Sequence, residues 1–282
     1  MFPIFDIARN SFEDGPGIRT TVFFRGCNLS CAWCHNPESR DGKRHIFYYK
    51  DRCMHCGKCT SVCPNGAVRC GKLQPEKCDF CGQCETVCPS GALSVCGKDY
   101  TESELLSLLL RDADYYAASG GGVTFSGGEC MLWAKEIAPF SASLAKNGIH
   151  TAIDTAGNVP WEAFKLVLPY TDLFLYDIKT LDREKHIAYT GVSNERILKN
   201  LESLFSCGAS VWIRIPVIGG VNDTEEDMRA IREFLSPYRP EKIELLPYHR
   251  LGEPKYAALG LPIPQFPEIP EEKMKALRAV FS

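Results

Sequence analysis

Apolar and polar positions follow two different patterns along the chain. From residue 101 onward, short and nearly continuous apolar runs alternate with amphipathic stretches. VTFSGG at 123–128, HTAIDT at 150–155, DLFLYDIK at 172–179, SVWIRIPVI at 210–218 and KIELLPY at 242–248 have the length and β-branched or aromatic character of buried strands. Helices are expected at 133–146, 160–168, 194–206 and 224–236, and after Pro270. Another opens at Thr101, where Glu104 three residues on completes a capping-box signature ahead of LLSLLL. IRTTVFF at 18–24 supplies a sixth strand. Apolar runs of this kind, five of them in βα alternation, predict a parallel sheet covered by helices, an α/β fold. Between the first strand and the Thr101 helix the pattern stops. Residues 45–100 are rich in Cys, Gly and Pro without a long helical period, and read as a small domain inserted into a larger one made of 1–44 and 101–282.

Composition narrows the function. The 282 residues are 45% hydrophobic and 24% charged, enough to bury a sizeable core. A net charge of −3 argues against nucleic acid as the partner. The first residues, MFPIFDIARNSFEDGPG, lack the basic and apolar regions of a signal peptide, and no apolar run is long enough to span a bilayer. A soluble, cytoplasmic protein, monomeric and without a membrane partner, is therefore expected. The cysteines change the picture most: of fifteen, thirteen lie between Cys27 and Cys96. In a large chain with no export signal and an odd count, thiols at two- and three-residue spacings suit metal better than disulfides.

Eight of them belong to an internal repeat. CMHCGKCTSVCPNGAV at 53–68 and CDFCGQCETVCPSGAL at 78–93 match at nine of sixteen positions in a 25-residue register. Each has the form C-x2-C-x2-C-x3-C-P, the bacterial ferredoxin run for [4Fe–4S] clusters, whose fourth cysteine reaches across to the other cluster. The expected ligand sets are thus Cys53, Cys56, Cys59 and Cys88 for one cluster, and Cys78, Cys81, Cys84 and Cys63 for the other. Two structural zinc sites are the alternative, although zinc usually takes its cysteines as separated pairs. Cys70 and Cys96, just beyond each repeat, read as small buried residues in short strands.

The third group, Cys27, Cys31 and Cys34, follows strand one directly. Three cysteines hold three irons of a cubane and leave the fourth open, and an open metal position marks a reactive site. A zinc site completed by His35 or His45 is the alternative here. This C-x3-C-x-aromatic-C pattern resembles the signature of the radical S-adenosylmethionine superfamily. With its flanks, DGPGIRTTVFFRGCNLSCAWCHNPES at 14–39, the chain resembles the activating enzymes of glycyl radical enzymes. The likeness continues through SGGGVTFSGGE at 119–129, DTAG at 154–157, YDIK at 176–179, TGVSN at 190–194, VWIRIPVIGGVND at 211–223 and ELLPYHRLG at 244–252.

That resemblance implies a partial (β/α)6 barrel with an inserted ferredoxin-like two-cluster domain, three [4Fe–4S] clusters, and S-adenosylmethionine as cosubstrate. It also implies a glycyl radical enzyme as protein partner and a flavodoxin or ferredoxin as reductant, under anaerobic conditions. The matching positions for S-adenosylmethionine are Trp33, Cys34, His35, Gly128, the run Asp177, Ile178 and Lys179, and His249. Gly127 and Gly128 would let backbone approach the ligand, and Glu129 or nearby carbonyls would accept from its ammonium. Lys179 would meet a carboxylate as a point charge and Asp177 would accept from ribose hydroxyls. Asp14 and Arg214 match contacts to the partner's glycine loop. Cys27, Gly127 to Glu129, Asp154, Asp177, Lys179, Arg214 and His249 all fall at or beyond the carboxyl ends of strands, where parallel α/β folds keep their active sites. Cys130, after the two glycines and Glu129, departs from the family's usual proline or alanine and is a buried thiol, a fourth ligand or a hydrogen donor. Two other readings share some of these features: a radical enzyme acting on a small molecule or another peptide, and an electron-transfer module.

Overall fold

All six expected strands form one sheet, and two strands that were not expected extend it. The computed structural model describes residues 1–69 and 72–281. The chain opens with β1 (Phe2–Ser11), turns, and enters β2 (Arg19–Phe24). It then leaves the sheet through β3 (His45–Tyr48), α1 (Lys58–Val62), β4 (Val68–Arg69), β5 (Lys72–Leu73), α2 (Gln83–Thr86) and β6 (Leu93–Cys96). It returns as β7 (Lys98–Tyr100), followed by α3 (Glu102–Leu109) and α4 (Ala113–Ser119). The alternating part runs β8 (Gly122–Gly127), α5 (Ala134–Lys146), β9 (His150–Thr155), α6 (Trp161–Val167), β10 (Leu173–Asp177), α7 (Arg183–Thr190) and α8 (Glu195–Ser206). It ends with β11 (Val211–Val217), α9 (Glu225–Leu235), β12 (Lys242–Pro247), α10 (Glu253–Leu259) and α11 (Glu271–Ala279).

The sheet order is β12-β11-β10-β9-β8-β2-β1-β7, parallel from β12 to β2. β1 runs antiparallel to β2, with Ile4 opposite Phe24 and Ile7 opposite Val22. The apolar residues of β1, Phe2, Ile4, Phe5 and Ile7, keep no period of two, because the pairing with β2 shifts register between Ile4 and Asp6. β7 pairs with β1, Phe2 opposite Tyr100. Residues 98–100, expected in the insert, therefore belong to the edge of the main sheet. Their apolar content is too low for periodicity to find them, and pairing with β1 decides their place.

The parallel strands from β2 to β11 are largely buried, and only the edge strand β12 is open to solvent. Phe125, Ile153, Phe174, Ile213 and Ile215 lie in a core shared with Leu105 and Leu109 of α3, Ile137 and Leu144 of α5, Leu201 and Leu204 of α8, and Met228 and Ile231 of α9. Each such side chain, fully buried, contributes about 1.5–3 kcal/mol. The Thr101 capping box forms as the sequence predicts: Glu104 N donates to Thr101 Oγ1, and Thr101 N donates back to Glu104 Oε2 at 2.8 Å. No described helix is long and apolar enough to cross a membrane.

The segment from β3 to β6 closes on itself. β3 and β6 pair antiparallel, His45 opposite Cys96 and Tyr48 opposite Leu93. Its own core is small: Ile46, Val68, Cys84 and Leu93. The two repeats fold alike, because Gly57 (φ 75°) and Gly82 (φ 77°) make the same left-handed turn into α1 and α2. His55 (φ 53°) and Phe80 (φ 59°) repeat a second left-handed position that favours no side chain. Cys96 is buried with Phe5, Phe47 and Ala258, as expected of a small residue in a short strand. Cys70 lies outside the described residues.

Candidate active site and cysteine cavities

The carboxyl ends of the parallel strands surround a cavity of about 500 Å3. Its walls bring together Asp14 from the turn after β1, Cys27, Cys31, Trp33, Cys34 and His35 after β2, and Gly127 and Gly128 at the end of β8. Asp154 of β9, Asp177 and Lys179 of and after β10, Arg214 of β11 and His249 after β12 complete it. Residues spread over more than 230 positions of sequence thus face one space of the size that takes a drug-sized ligand.

The charges in this cavity are paired. Lys179 Nζ donates to Asp177 Oδ2 at 2.8 Å, with Lys179 8% exposed. Burial pulls the ammonium's pKa down, but Asp177 and Cys31 outweigh it and hold the group charged. Arg214 bridges two carboxylates, Asp14 Oδ1 at 3.5 Å and Asp154 Oδ1 at 3.4 Å, and donates to the Glu13 carbonyl at 3.2 Å. Burial pushes Asp154 up to about 6, against the pull of Arg214, while Ser126 Oγ donates to its other oxygen at 2.7 Å. Asp14 is held by Ser11 and Thr21, whose hydroxyls donate at 2.8 and 2.7 Å. His35 and His249 meet edge to face, ring centroids 4.8 Å apart. Burial, with Lys255 and His249 nearby, lowers His35 to about 4, so its ring is neutral.

The loop that carries the three cysteines is tied down by distant elements. Ser30 and Ala32 N–H groups donate to Thr190 and Tyr189 carbonyls at the end of α7, both at 2.8 Å. Arg40 donates to the Cys31 carbonyl and, at 3.1 Å, to Tyr256 Oη, which itself donates to the Cys34 carbonyl at 2.8 Å. Trp33 wedges between Tyr189 and Phe266, with ring centroids about 6 Å away.

Two further cavities lie in the β3–β6 segment. One, of about 120 Å3, is lined by Cys53, Cys56, Cys59 and Cys88; the other, smaller, by Cys63, Cys78, Cys81 and Cys84. Backbone N–H groups donate to sulfur in both repeats at matching places, Ala67 to Cys63 and Ala92 to Cys88, each at 3.2 Å.

A radical SAM superfamily model matches residues 75–235 and a 4Fe-4S binding domain model matches 46–69. Nearly the whole chain is similar to the choline trimethylamine-lyase activating enzyme of Oleidesulfovibrio alaskensis: 43% identity over 272 residues, covering 93% of this chain and 88% of that one. The chain belongs to the glycyl radical enzyme activating enzymes. This activating enzyme is likewise 44% identical to the trans-4-hydroxy-L-proline dehydratase activating enzyme of Clostridioides difficile, over 90% of its own length and 86% of the relative's. A solved radical SAM methyltransferase from Sphaerobacter thermophilus superposes with a TM-score of 0.52 at 15% identity, covering 98% of the activating enzyme and 73% of that chain. That likeness is one of fold, and it agrees with the expected partial barrel.

Three sequence expectations change in the activating enzyme. Glu129 does not face the cavity. It is fully buried behind it, where Met131 N, Ala156 N and Thr155 Oγ1 donate to its carboxylate at 3.0, 2.9 and 2.7 Å. Burial still pushes it up to about 7. Its work is to lock the end of β8 to the end of β9. Ile178 is also buried outside the cavity wall, its N–H donating to the Arg214 carbonyl at 2.9 Å. The two glycines do line the cavity, yet a Cβ on Gly127 would strike Phe24 N at 2.3 Å and one on Gly128 would strike Gly26 O at 2.3 Å. Close approach of the protein's own strand and Cys27 loop, rather than of a ligand, is what excludes a side chain there.

Cys130 resolves as a buried thiol. It lies in the main core, 3.3 Å from the Phe125 carbonyl and 3.4 Å from the Asp154 carbonyl, to which its S–H donates. Burial raises its pKa well above the ordinary value. Cys207 is exposed at the end of α8. Sequence reasoning missed Arg40, Tyr256 and Asn222. Asn222 is fully buried and donates to the Lys179 and Pro216 carbonyls at 2.6 and 2.7 Å, joining the ends of β10 and β11. It sits inside the quoted run VWIRIPVIGGVND, so the motif held the signal; Arg40 and Tyr256 had none.

Proposed function

We propose that this activating enzyme reductively cleaves S-adenosylmethionine and that the 5′-deoxyadenosyl radical so formed takes a hydrogen atom from the Cα of a glycine in a partner glycyl radical enzyme. The observation that carries this reading is the convergence of the Cys27, Cys31 and Cys34 loop with five other strand ends on one cavity. When bound, a [4Fe–4S] cluster on these three cysteines supplies the electron and, at its one iron without a cysteine, a point of chelation for the amino and carboxylate groups of S-adenosylmethionine. Three such clusters are proposed, the other two in the β3–β6 segment, which we read as an inserted ferredoxin-like domain. In support, the four thiols of each proposed set surround one cavity. Zinc draws thiolates to about 2.3 Å of a single point, whereas a cube holds them apart at its corners.

The chain's own residues bind, orient and exclude water. Lys179 is assigned to the methionine carboxylate and its partner Asp177 to the ribose hydroxyls, both beside the cysteine loop. Trp33, His35 and His249 form the apolar and aromatic wall against which the adenosyl group lies. Asp14 and Arg214, linked in the cavity wall, are assigned to the backbone of the incoming glycine loop. Glycine suits that step because no side chain blocks approach to its Cα. The two relatives serve different enzymes at nearly equal identity. The shared chemistry therefore lies in the cavity, and partner choice lies on the surface around it. A flavodoxin or ferredoxin is the proposed source of electrons.

Replacing Cys31 by Ala is expected to leave the insert's clusters in place while abolishing methionine and 5′-deoxyadenosine formation under reducing, anaerobic conditions. Cleavage that persists in this variant would sink the assignment. Electron paramagnetic resonance of a co-incubated glycyl radical enzyme then tests the hydrogen transfer: competent cleavage without a radical on the partner points to another acceptor.

A further inference from the structure

The insert's two repeats share a backbone and differ in charge. Residues 50–62 carry Lys50, Arg52 and Lys58 against Asp51, whereas the equivalent residues 75–87 carry Glu76, Asp79 and Glu85 against Lys77. Within one 25-residue register the balance inverts. Position by position, Met54, Lys58 and Thr60 correspond to Asp79, Gln83 and Glu85.

The structure adds how these charges are used. In the second repeat two of the three acids, though exposed, accept hydrogen bonds from the repeat's own surroundings: Asp79 Oδ1 accepts from Cys81 N at 3.1 Å, and Glu85 accepts from Ser94 Oγ and Val95 N at 3.0 and 3.1 Å. In the first repeat the bases face solvent. Lys50, Arg52, Lys58 and Lys72 are exposed, and none of them makes an ion pair among the described residues. Lys58 and Lys72 stand on the wall of the cavity lined by Cys53, Cys56, Cys59 and Cys88. Met54, 67% exposed, lies on the same wall. An exposed methionine and two lysines without an ion pair among the described residues thus stand on the wall of one cysteine cavity, with Lys50 and, over the Tyr49 ring at 4.2 Å, Arg52 in the same repeat; the lining of the second cavity holds no base.

We propose that this first-repeat face is where the electron donor docks, and that the donor is a small acidic one-electron carrier protein. Its acidic rim meets Lys50, Arg52, Lys58 and Lys72, and its redox centre lies against Met54. Complementary charge steers such encounters and fixes their register, and transient redox interfaces are small enough for a patch of this kind. One electron leaves the carrier, which is oxidised, and enters the cluster assigned to Cys53, Cys56, Cys59 and Cys88, which is reduced; no bond or proton changes place. The inference rests on the proposed function, which requires an external electron.

The test uses the full, cluster-loaded chain and an anaerobically reduced flavodoxin of net negative charge. Binding is measured by calorimetry at low and high salt, and methionine formation is followed with flavodoxin and, separately, with dithionite. Lys58→Glu/Lys72→Glu is expected to raise the Kd at least roughly tenfold at low salt and to flatten its salt dependence. Dithionite-driven cleavage should stay at the wild-type level, and Gln83→Glu should change neither reading. If iron and sulfide content shows cluster loss in the first variant, Lys50→Glu/Lys72→Glu replaces it, with the same expectation. An unchanged Kd and salt slope in a fully loaded variant, or equal weakening by Gln83→Glu, overturns the docking face. Failure of dithionite-driven cleavage in the unaltered chain would count against the proposed function instead, and the binding measurement would still decide the face.

Discussion

The loop after β2 and the β3–β6 segment both present cysteines, and they are built on opposite principles. Cys27, Cys31 and Cys34 are half-buried, and the backbone between them is held by Thr190, Tyr189, Arg40 and Tyr256, most of them more than 150 residues away. In the insert the supports are local: Ala67, Ala92 and Phe80 N–H groups donate to cysteines no more than four residues before them. Cys56 and Cys81 are exposed, and the core beneath is four residues. A segment of that size buries too little apolar surface to offset its own ordering. The barrel's cysteine loop is therefore positioned by the fold around it, and the proposed clusters would supply the β3–β6 segment with the stability that its own core lacks.

Removal of one cysteine from each set proposed to hold a cluster tests this contrast most severely. Cys56→Ala/Cys81→Ala should raise amide hydrogen exchange between residues 45 and 97 by at least about a hundredfold while the strands β8 to β12 stay protected, because a metal site's binding energy is folding energy. Protection that survives in the insert would break the comparison. A smaller effect is expected from Tyr256→Phe, which removes the hydroxyl between Cys34 and Arg40. Stability should fall by about 1 kcal/mol, seen as a midpoint lower by about 2–4 °C, and S-adenosylmethionine cleavage should slow several-fold as the loop loosens. Unaltered cleavage would mean that the loop does not need this tie.

The smallest effect lies at the other end of the sheet, where no cysteine is involved. Asp112 accepts from Arg9 Nε at 2.8 Å and Thr20 Oγ1 at 3.0 Å. The hydrogen bond from Arg9 and that from Thr20 hold its carboxyl below the ordinary carboxylate value, against burial. With its folded value depressed, this group's contribution is complete above the ordinary aspartate range and is lost as pH falls through the lower folded value. Asp112→Asn should thus weaken the fold slightly at neutral pH and remove part of the acid destabilisation, with cleavage unchanged. An acid-unfolding profile identical to that of the unaltered chain would discount the pair.

Much of the architecture was legible. Continuous apolar runs found all six parallel strands within two residues, and Thr101 with Glu104 marked its helix start correctly. β7 escaped because three residues with one aromatic have no period. Placement at strand ends brought Cys27, Lys179, Arg214 and His249 to one cavity, and Asp14, named from the resemblance alone, lines it too. It failed for Glu129 and Ile178, since a residue past a strand can turn toward the cavity or back into the layer beneath it, and only the neighbours decide which.

Local spacing determined the chemistry by itself, because a cubane's corners are reached by thiols a few residues apart and a 25-residue repeat survives without any long-range contact. The crosswise grouping of Cys63 with the second repeat and Cys88 with the first was likewise readable from the repeat and returns as the lining of two cavities. Tertiary structure alone decided what stabilises the reactive loop, which glycines are glycine for the fold's sake, that Cys130 is buried in the main core, and that the first repeat's bases make no ion pair among the described residues while Asp79 and Glu85 of the second accept hydrogen bonds. The physical reason is common to all four: each depends on a partner distant in sequence or on the absence of one, and neither has a period or spacing to read.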